Sequence, residues 1–326
     1  MLLDAKKPGA IDDAAQRLAA GELVAFPTET VYGLGARADD DAAVAGIFAT
    51  KGRPSEHPLI VHVSDAAAAR QFAAQWPPVA TRLTDALWPG PLTVIVPRRD
   101  GTAAAAAGGQ ATIGLRAPSH PVARALLEAA RAHGVPGVAG PSANRFGRIS
   151  PTEARHVQAE FGDAITVLDG GACEVGIESA IVDCSRGRPV LLRPGVLTRA
   201  QLEAAAGEPL QAADEAAPRA PGTLEAHYAP RAKLRLMPAA MLAAAVEMLG
   251  ESPLKLAVYS TRRPQGIARG MHHRVMPARA EQAAQELFSV LRAFDDEGVQ
   301  LIWVEEPPAT PEWEGVADRL RRAAAG

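Results

Sequence analysis

Aromatic residues are scarce in this chain, 4% of the total, so a core must be filled by Val, Leu, Ile and the abundant Ala. Cysteine is scarcer still. Cys173 and Cys184 stand with ten residues between them and no Cys-x-x-Cys, which excludes a thiolate metal clamp and a redox motif. Both are expected to be buried structural thiols. Basic excess is also lacking: 34 Lys and Arg against 37 Asp and Glu leave a formal net charge of −3. That disfavours a protein whose main task is gripping a nucleic-acid backbone, and direct stable tRNA binding is not expected. No apolar run approaches membrane-spanning length, and after the two leucines before Asp4 and then Lys6-Lys7 no apolar core of a signal peptide follows. A soluble, cytoplasmic location is expected, with no membrane partner.

What is present is an ordinary globular balance, 48% hydrophobic and 22% charged, in 326 residues, a length suited to about two domains. Residues 23–27, 59–63, 92–97, 112–116, 135–139, 165–168, 180–183 and 190–193 read as strands. Amphipathic helices fall at 42–50 and 120–133, with Pro121 in a first turn where its missing N–H costs nothing. The alternation predicts an α/β fold. Connections such as that between 180–183 and 190–193 are short enough to favour antiparallel pairs, so the sheet is expected to be mixed. Residues 208–221 lose periodicity and gain proline, as an exposed connector does. Beyond Pro230 a smaller α/β unit follows, with strands at 234–237, 254–259 and 301–304 and helices at 239–249, 280–297 and 316–324. The expected division is residues 1–207, a linker at 208–231, and residues 232–326.

Several strand ends carry hydroxyls and cations. Pro27-Thr28-Glu29-Thr30-Val31-Tyr32-Gly33-Leu34-Gly35 follows an apolar strand, at the kind of place where open α/β sheets bind ligands. A turn held by threonine hydroxyls would look the same. Gly33 to Ala38 also fits G-x-G-x-x-A, but Asp39-Asp40-Asp41 comes next and would repel a pyrophosphate. Lys51-Gly52-Arg53-Pro54 sets two cations around a glycine, and Lys51 is one of only five lysines in an arginine-dominated chain. A solvated basic turn is the other reading of that tetrapeptide. Within its apolar strand, His62 reads as a hydrogen-bonded core imidazole. Thr112 and Arg116 share one face of a strand. A polar loop runs from Pro141 to Ser150, and Glu178-Ser179 and Arg193-Pro194-Gly195 flank further strands. Together these suit one composite anion-binding cleft. No Walker-A, G-x-S-x-G or His/Cys metal pattern occurs. Residue chemistry alone thus reaches an α/β enzyme handling a phosphorylated or nucleotide substrate.

In their order, Pro-Thr-Glu-Thr-Val-Tyr-Gly-Leu, Lys-Gly-Arg-Pro with Pro-Leu-Ile-Val-His, Gly-Leu-Arg-Ala-Pro, Pro-Ser-Ala-Asn-Arg, Glu-Ser-Ala-Ile-Val-Asp and Leu-Leu-Arg-Pro-Gly resemble the YrdC-type threonylcarbamoyl-AMP synthases. Ala220-Pro221-Gly222-Thr223-Leu224 and His227-Tyr228-Ala229-Pro230 resemble the linker of their long, two-domain form. The resemblance implies a YrdC-like twisted mixed sheet, a Rossmann-like C-terminal domain, and adenylyl transfer to N-carboxythreonine formed from L-threonine and bicarbonate. It places L-threonine on Thr30, His62, Arg116, Gly140 and Ser179, and ATP on Arg53, His57, Thr112, Ser142, Asn144, Ser150, Arg193 and Tyr228. Lys51 and Arg53 carry the catalytic charge, Mg2+ comes with ATP, and no protein-bound zinc or organic cofactor is implied. A downstream tRNA threonylcarbamoyl transferase is the implied partner, and residues 222–230 are the implied lid. His57, Phe146 and Ala180 stand where the family more often has asparagine, serine and threonine. Two rival readings are a non-catalytic RNA binder, which the acidic balance opposes, and a hydrogenase-maturation carbamoyl transferase. The latter's zinc finger cannot be supplied by two isolated cysteines.

Overall fold

Val24–Phe26 is buried at all three positions, as a strand covered on both faces must be. Its side chains divide between two apolar layers: Val24 and Phe26 join Leu18, Leu126 and Leu127, and Ala25 joins the larger cluster containing Ile47 and Leu83. Helices Ala10–Ala19 and Pro121–Ala132 therefore cover one face, and Asp41–Lys51 and Pro78–Leu87 the other. This computed structural model describes residues 1–250 and 254–326, in two compact units. One comprises Met1–Phe146 and Ser150–Thr223, the other Gly147–Ile149 and Leu224–Gly326.

Among the described residues the first unit has eleven strands: β1 (Leu2–Asp4), β2 (Val24–Phe26), β3 (Gly33–Arg37), β4 (Ile60–His62), β5 (Leu92–Pro97), β6 (Thr112–Arg116), β7 (Val138–Ala139), β8 (Thr166–Asp169), β9 (Ala180–Asp183), β10 (Val190–Arg193) and β11 (Gln211–Ala212). They form one sheet in the order β1-β8-β2-β3-β7-β4-β6-β5-β9-β10-β11. The sheet is mixed, as expected: β4 and β6 run parallel, whereas β2 with β3 and β9 with β10 are antiparallel.

Strand β3 begins within the segment read above as a ligand loop. Its glycines are a packing requirement: a Cβ on Gly35 would lie 2.9 Å from the Phe26 ring and 2.9 Å from Val138. Phe26 lies across β3, and only a bare backbone can pass beneath it. The connector also differs from its expected exposure. Residues 211–216 are exposed, but Ala220 is buried against Ile60, Ile95 and Ile181. Gln110 and Arg219 clasp each other there, each side-chain amide bond of Gln110 meeting the backbone of Arg219. Small apolar Ala220 and Pro221 cover a sheet face that would otherwise be bare. Both cysteines are free and buried.

The second unit holds β12 (Lys233–Met237), β13 (Leu256–Ser260), β14 (His272–Val275) and β15 (Leu301–Glu305), all parallel, in the order β12-β15-β13-β14. Helices Ala239–Leu249, Ala280–Asp296 and Glu314–Ala324 complete this Rossmann-like arrangement. Sequence periodicity did not indicate β14, because His-His-Arg-Val at a sheet edge carries no apolar alternation.

Candidate functional site

Register brings two of the expected residues together before any side chain is considered. His62 and Arg116 end β4 and β6 and are direct partners in that parallel pair. Arg116 is buried; its Nη1 donates to the Thr30 hydroxyl at 2.9 Å, and its Nη2 lies 2.7 Å from Glu29 Oε1. The threonine segment serves both purposes left open by the sequence. Thr28 holds the turn, its hydroxyl donating to Val31 O at 2.7 Å and receiving the Thr30 and Val31 N–H groups. Thr30, 2.8 Å from the Thr28 hydroxyl, joins the turn to Arg116.

Gly140 closes this group from β7. A Cβ there would sit 3.1 Å from His62 Nδ1 and 3.4 Å from Phe26, so the backbone approaches the imidazole directly. Phe26 meets the His62 ring edge-to-face, with centroids 5.6 Å apart. Burial, reinforced by the Arg116 charge, pushes the His62 pKa down to about 3, so the imidazole is neutral at physiological pH. Stability tied to this group is complete above pH 6.5, the ordinary histidine value, and is lost as the pH falls toward 3 because the unfolded chain takes the proton first. In His62→Gln, the unfolding free energy is expected to lose up to about 1.4 kcal/mol of slope per pH unit in that window. Chemical denaturation at stepped pH measures it.

On the far side, Ser179 precedes β9. Its hydroxyl lies 2.9 Å from that of Thr93 on β5, and the Arg193 guanidinium bonds its carbonyl at 3.0 Å and its hydroxyl at 3.2 Å. Arg193 also donates to Pro221 O at 2.8 Å. Thr112, at the opposite end of β6 from Arg116, lines a cleft with Thr93, Ile181 and Pro221.

A third group forms around the loop after β7. Lys51, buried at the end of its helix, donates to the carbonyl of Ser142 at 2.6 Å and to that of Asn144, and its own carbonyl receives Phe146 N at 2.9 Å. The solvated-turn reading of Lys51 is thereby excluded. Burial, and then the neighbouring Arg53 charge, hold the Lys51 pKa well below the usual lysine value. Arg53 donates to Pro58 O at 3.0 Å and lies 5.5 Å from the Phe146 ring, which also makes a T-shaped contact with the His57 ring. Burial followed by Arg53 lowers the His57 pKa. Ser150 donates to Glu178, and the Gly33–Ser142 bridge and the Tyr32 N to Pro151 O bond of 2.8 Å tie this loop to the threonine turn.

Every expected site residue except Tyr228 therefore lies in the first unit. Tyr228 is buried in the second, stacked on Phe288 with centroids 5.5 Å apart and 5.4 Å from the Arg319 guanidinium. Sequence reasoning assigned no role to Thr93, Glu29 or Glu178. The sole signal for Glu29 was its place inside the threonine motif; nothing marked Thr93 within its apolar strand. No cluster of three or more His, Cys, Asp or Glu suited to a metal occurs among the described residues, and no helix among them is long and apolar enough to cross a membrane.

Residues 16–195 match the Sua5, YciO and YrdC family model, described as telomere recombination, and residues 197–325 match that of the threonylcarbamoyl-AMP synthase C-terminal domain. The chain is 37% identical to threonylcarbamoyl-AMP synthase of Bacillus subtilis, over 97% of this chain and 93% of that one. It is 36% identical to the protein of the same name from Pyrococcus abyssi, over 95% and 92%. The crystal structure of P. abyssi Sua5 complexed with L-threonine superposes with a TM-score of 0.90 at 34% identity, covering 99% of this chain and 97% of that one.

Proposed function

Because the chain belongs to the Sua5, YciO and YrdC family in its two-domain threonylcarbamoyl-AMP synthase form, we propose that it condenses L-threonine, bicarbonate and ATP into threonylcarbamoyl-AMP, releasing pyrophosphate. The observation that carries this reading is the buried group of Arg116, Thr30 and His62, joined through Gly140 to the loop held by Lys51. In this reading an amino-acid site adjoins a loop fit for polyphosphate.

Arg116 grips the substrate carboxylate, for which a guanidinium offers two parallel donors. Thr30, Ser179 and neutral His62 face the remaining polar groups, and the Gly140 backbone sets the depth of the pocket. Arg53, His57, Thr112, Ser142, Asn144, Ser150 and Arg193 receive the nucleotide. The threonine amine, as free base, takes up CO2 or bicarbonate. The carboxylate so formed attacks the α-phosphorus, and pyrophosphate leaves. Lys51 fixes the loop, and Arg53 with Arg193 offsets charge on the phosphates, so catalysis is chiefly positioning and charge stabilisation. Mg2+ would enter with the ATP substrate and would offset charge on its phosphates, with Lys51 and Asn144 supporting the phosphates or its shell. We assign residues 1–207 as the catalytic domain, 208–231 as the linker and 232–326 as the second domain. The labile product suits immediate transfer of its threonylcarbamoyl group to tRNA by a separate enzyme.

Pyrophosphate release that requires threonine and bicarbonate as well as ATP is the expected result. Labelled bicarbonate should be recovered chromatographically in a mixed anhydride containing AMP. Release independent of threonine would refute the proposal.

A further inference from the structure

Glu29 is buried, at 3% exposure, beside an equally buried Arg116. Oε1 lies 2.7 Å from Arg116 Nη2, yet the two are misaligned for a hydrogen bond, and neither Glu29 oxygen has a hydrogen-bond partner. Arg116 Nε and Nη2 likewise have no hydrogen-bond partner, nor has His62 Nδ1. Such a pair is costly to bury, since each ion loses water and recovers too few bonds. The backbone that carries the carboxylate is nevertheless pinned: Val175 N donates to Glu29 O at 2.7 Å and Gly176 N to Thr30 O at 3.1 Å. A carboxylate present only to orient Arg116 would be expected to take an aligned bond from it.

The unfilled valences have a pattern. Two guanidinium N–H groups await an anion, and two carboxylate oxygens await a cation with several N–H donors, with Thr30 and His62 beside them. A zwitterionic α-amino acid supplies both charges one carbon apart. Glu178, the other buried carboxylate near the site, already accepts from Ser150, which leaves Glu29 as the better-placed acceptor. We infer that Glu29 holds the substrate's α-ammonium and thereby selects amino acids over hydroxy acids. The inference rests on the threonine reading above. It makes Glu29 a substrate-contacting residue that the sequence left without a role.

The test compares L-threonine with 2,3-dihydroxybutanoate of the same configuration, in which a hydroxyl replaces the amine, by calorimetric titration of the full-length protein. Wild type should prefer threonine by at least about 100-fold, because a site built to bond an N–H group rejects the analogue lacking it. Glu29→Gln should weaken threonine by about 100-fold and leave the dihydroxy acid within about threefold of wild type, so that the preference largely disappears. Glu29→Asp, which keeps the charge, should retain preference for the amine at reduced affinity, and it carries the test alone if the glutamine variant does not fold. Equal weakening of both ligands in Glu29→Gln, or a lost preference in a folded Glu29→Asp, would mean that Glu29 only supports Arg116. Absence of threonine binding to wild type would instead overturn the proposed function, and this inference with it.

Discussion

In Arg116→Ala, threonine-dependent pyrophosphate release is expected to fall by roughly two to four orders of magnitude, mainly through KM for threonine, since truncating a buried charged partner costs about 2–5 kcal/mol or more. The guanidinium serves two tasks in one place. It bonds Thr30 at 2.9 Å and fixes the turn, and its Nε and Nη2 are buried without a hydrogen-bond partner, free to take the carboxylate in the proposed site. The variant should also be less stable, by about 3–5 kcal/mol, because Glu29 is left as an uncompensated buried charge. Adding Glu29→Gln separates the two effects. The double variant should recover much of the thermal stability while threonine binding stays lost. Threonine kinetics near wild type in a folded Arg116→Ala protein would refute the assignment.

The second large effect is expected at Lys51. Lys51→Met keeps the apolar stem of the side chain but leaves the Ser142 and Asn144 carbonyls without their ammonium donor. The loop from Pro141 to Phe146 then loses its anchor, and the nucleotide loses a nearby positive charge. A fall in kcat of about 10²–10³ is expected, the range found when one charge-stabilising donor is removed from a site. Lys51→Arg should rescue little. The site admits a compact ammonium between two carbonyls, and at 3% exposure it has no room for a planar fork. Steady-state assays at saturating threonine, with nucleotide affinity measured separately, distinguish lost chemistry from lost binding. An active Lys51→Arg variant would contradict the requirement for an ammonium.

Most of the fold was legible because its strands are short apolar runs whose ends coincide with punctuation. Residues 112–116 and 180–183 were read with the same limits as β6 and β9. Strand β3 was not, because Gly-Leu-Gly-Ala-Arg has the composition of a loop and becomes a strand only when Phe26 covers it. Tertiary packing overrode local propensity there. Strand β1 was missed for a related reason: three residues at a sheet edge carry too little pattern. Within the site, residue types signalled Arg116, Lys51 and Thr30, but which atoms are satisfied can be read only from three dimensions. Sequence could therefore name Glu29 without giving it work. Likewise Thr93 became a site neighbour only when β5 was placed beside β9 and its hydroxyl met Ser179.

The packing around Phe26 has a consequence for how the sequence can change over time. One ring limits what can stand at position 35 on a neighbouring strand, and it rests against the imidazole at position 62, which in turn limits position 140. Enlarging Gly35 demands a smaller ring, which leaves the imidazole unsupported, and enlarging Gly140 presses on the imidazole directly. Accumulated substitutions at these four sites must therefore be concerted, and swapping any one of them alone between distant relatives should prove harmful even where each donor protein is healthy.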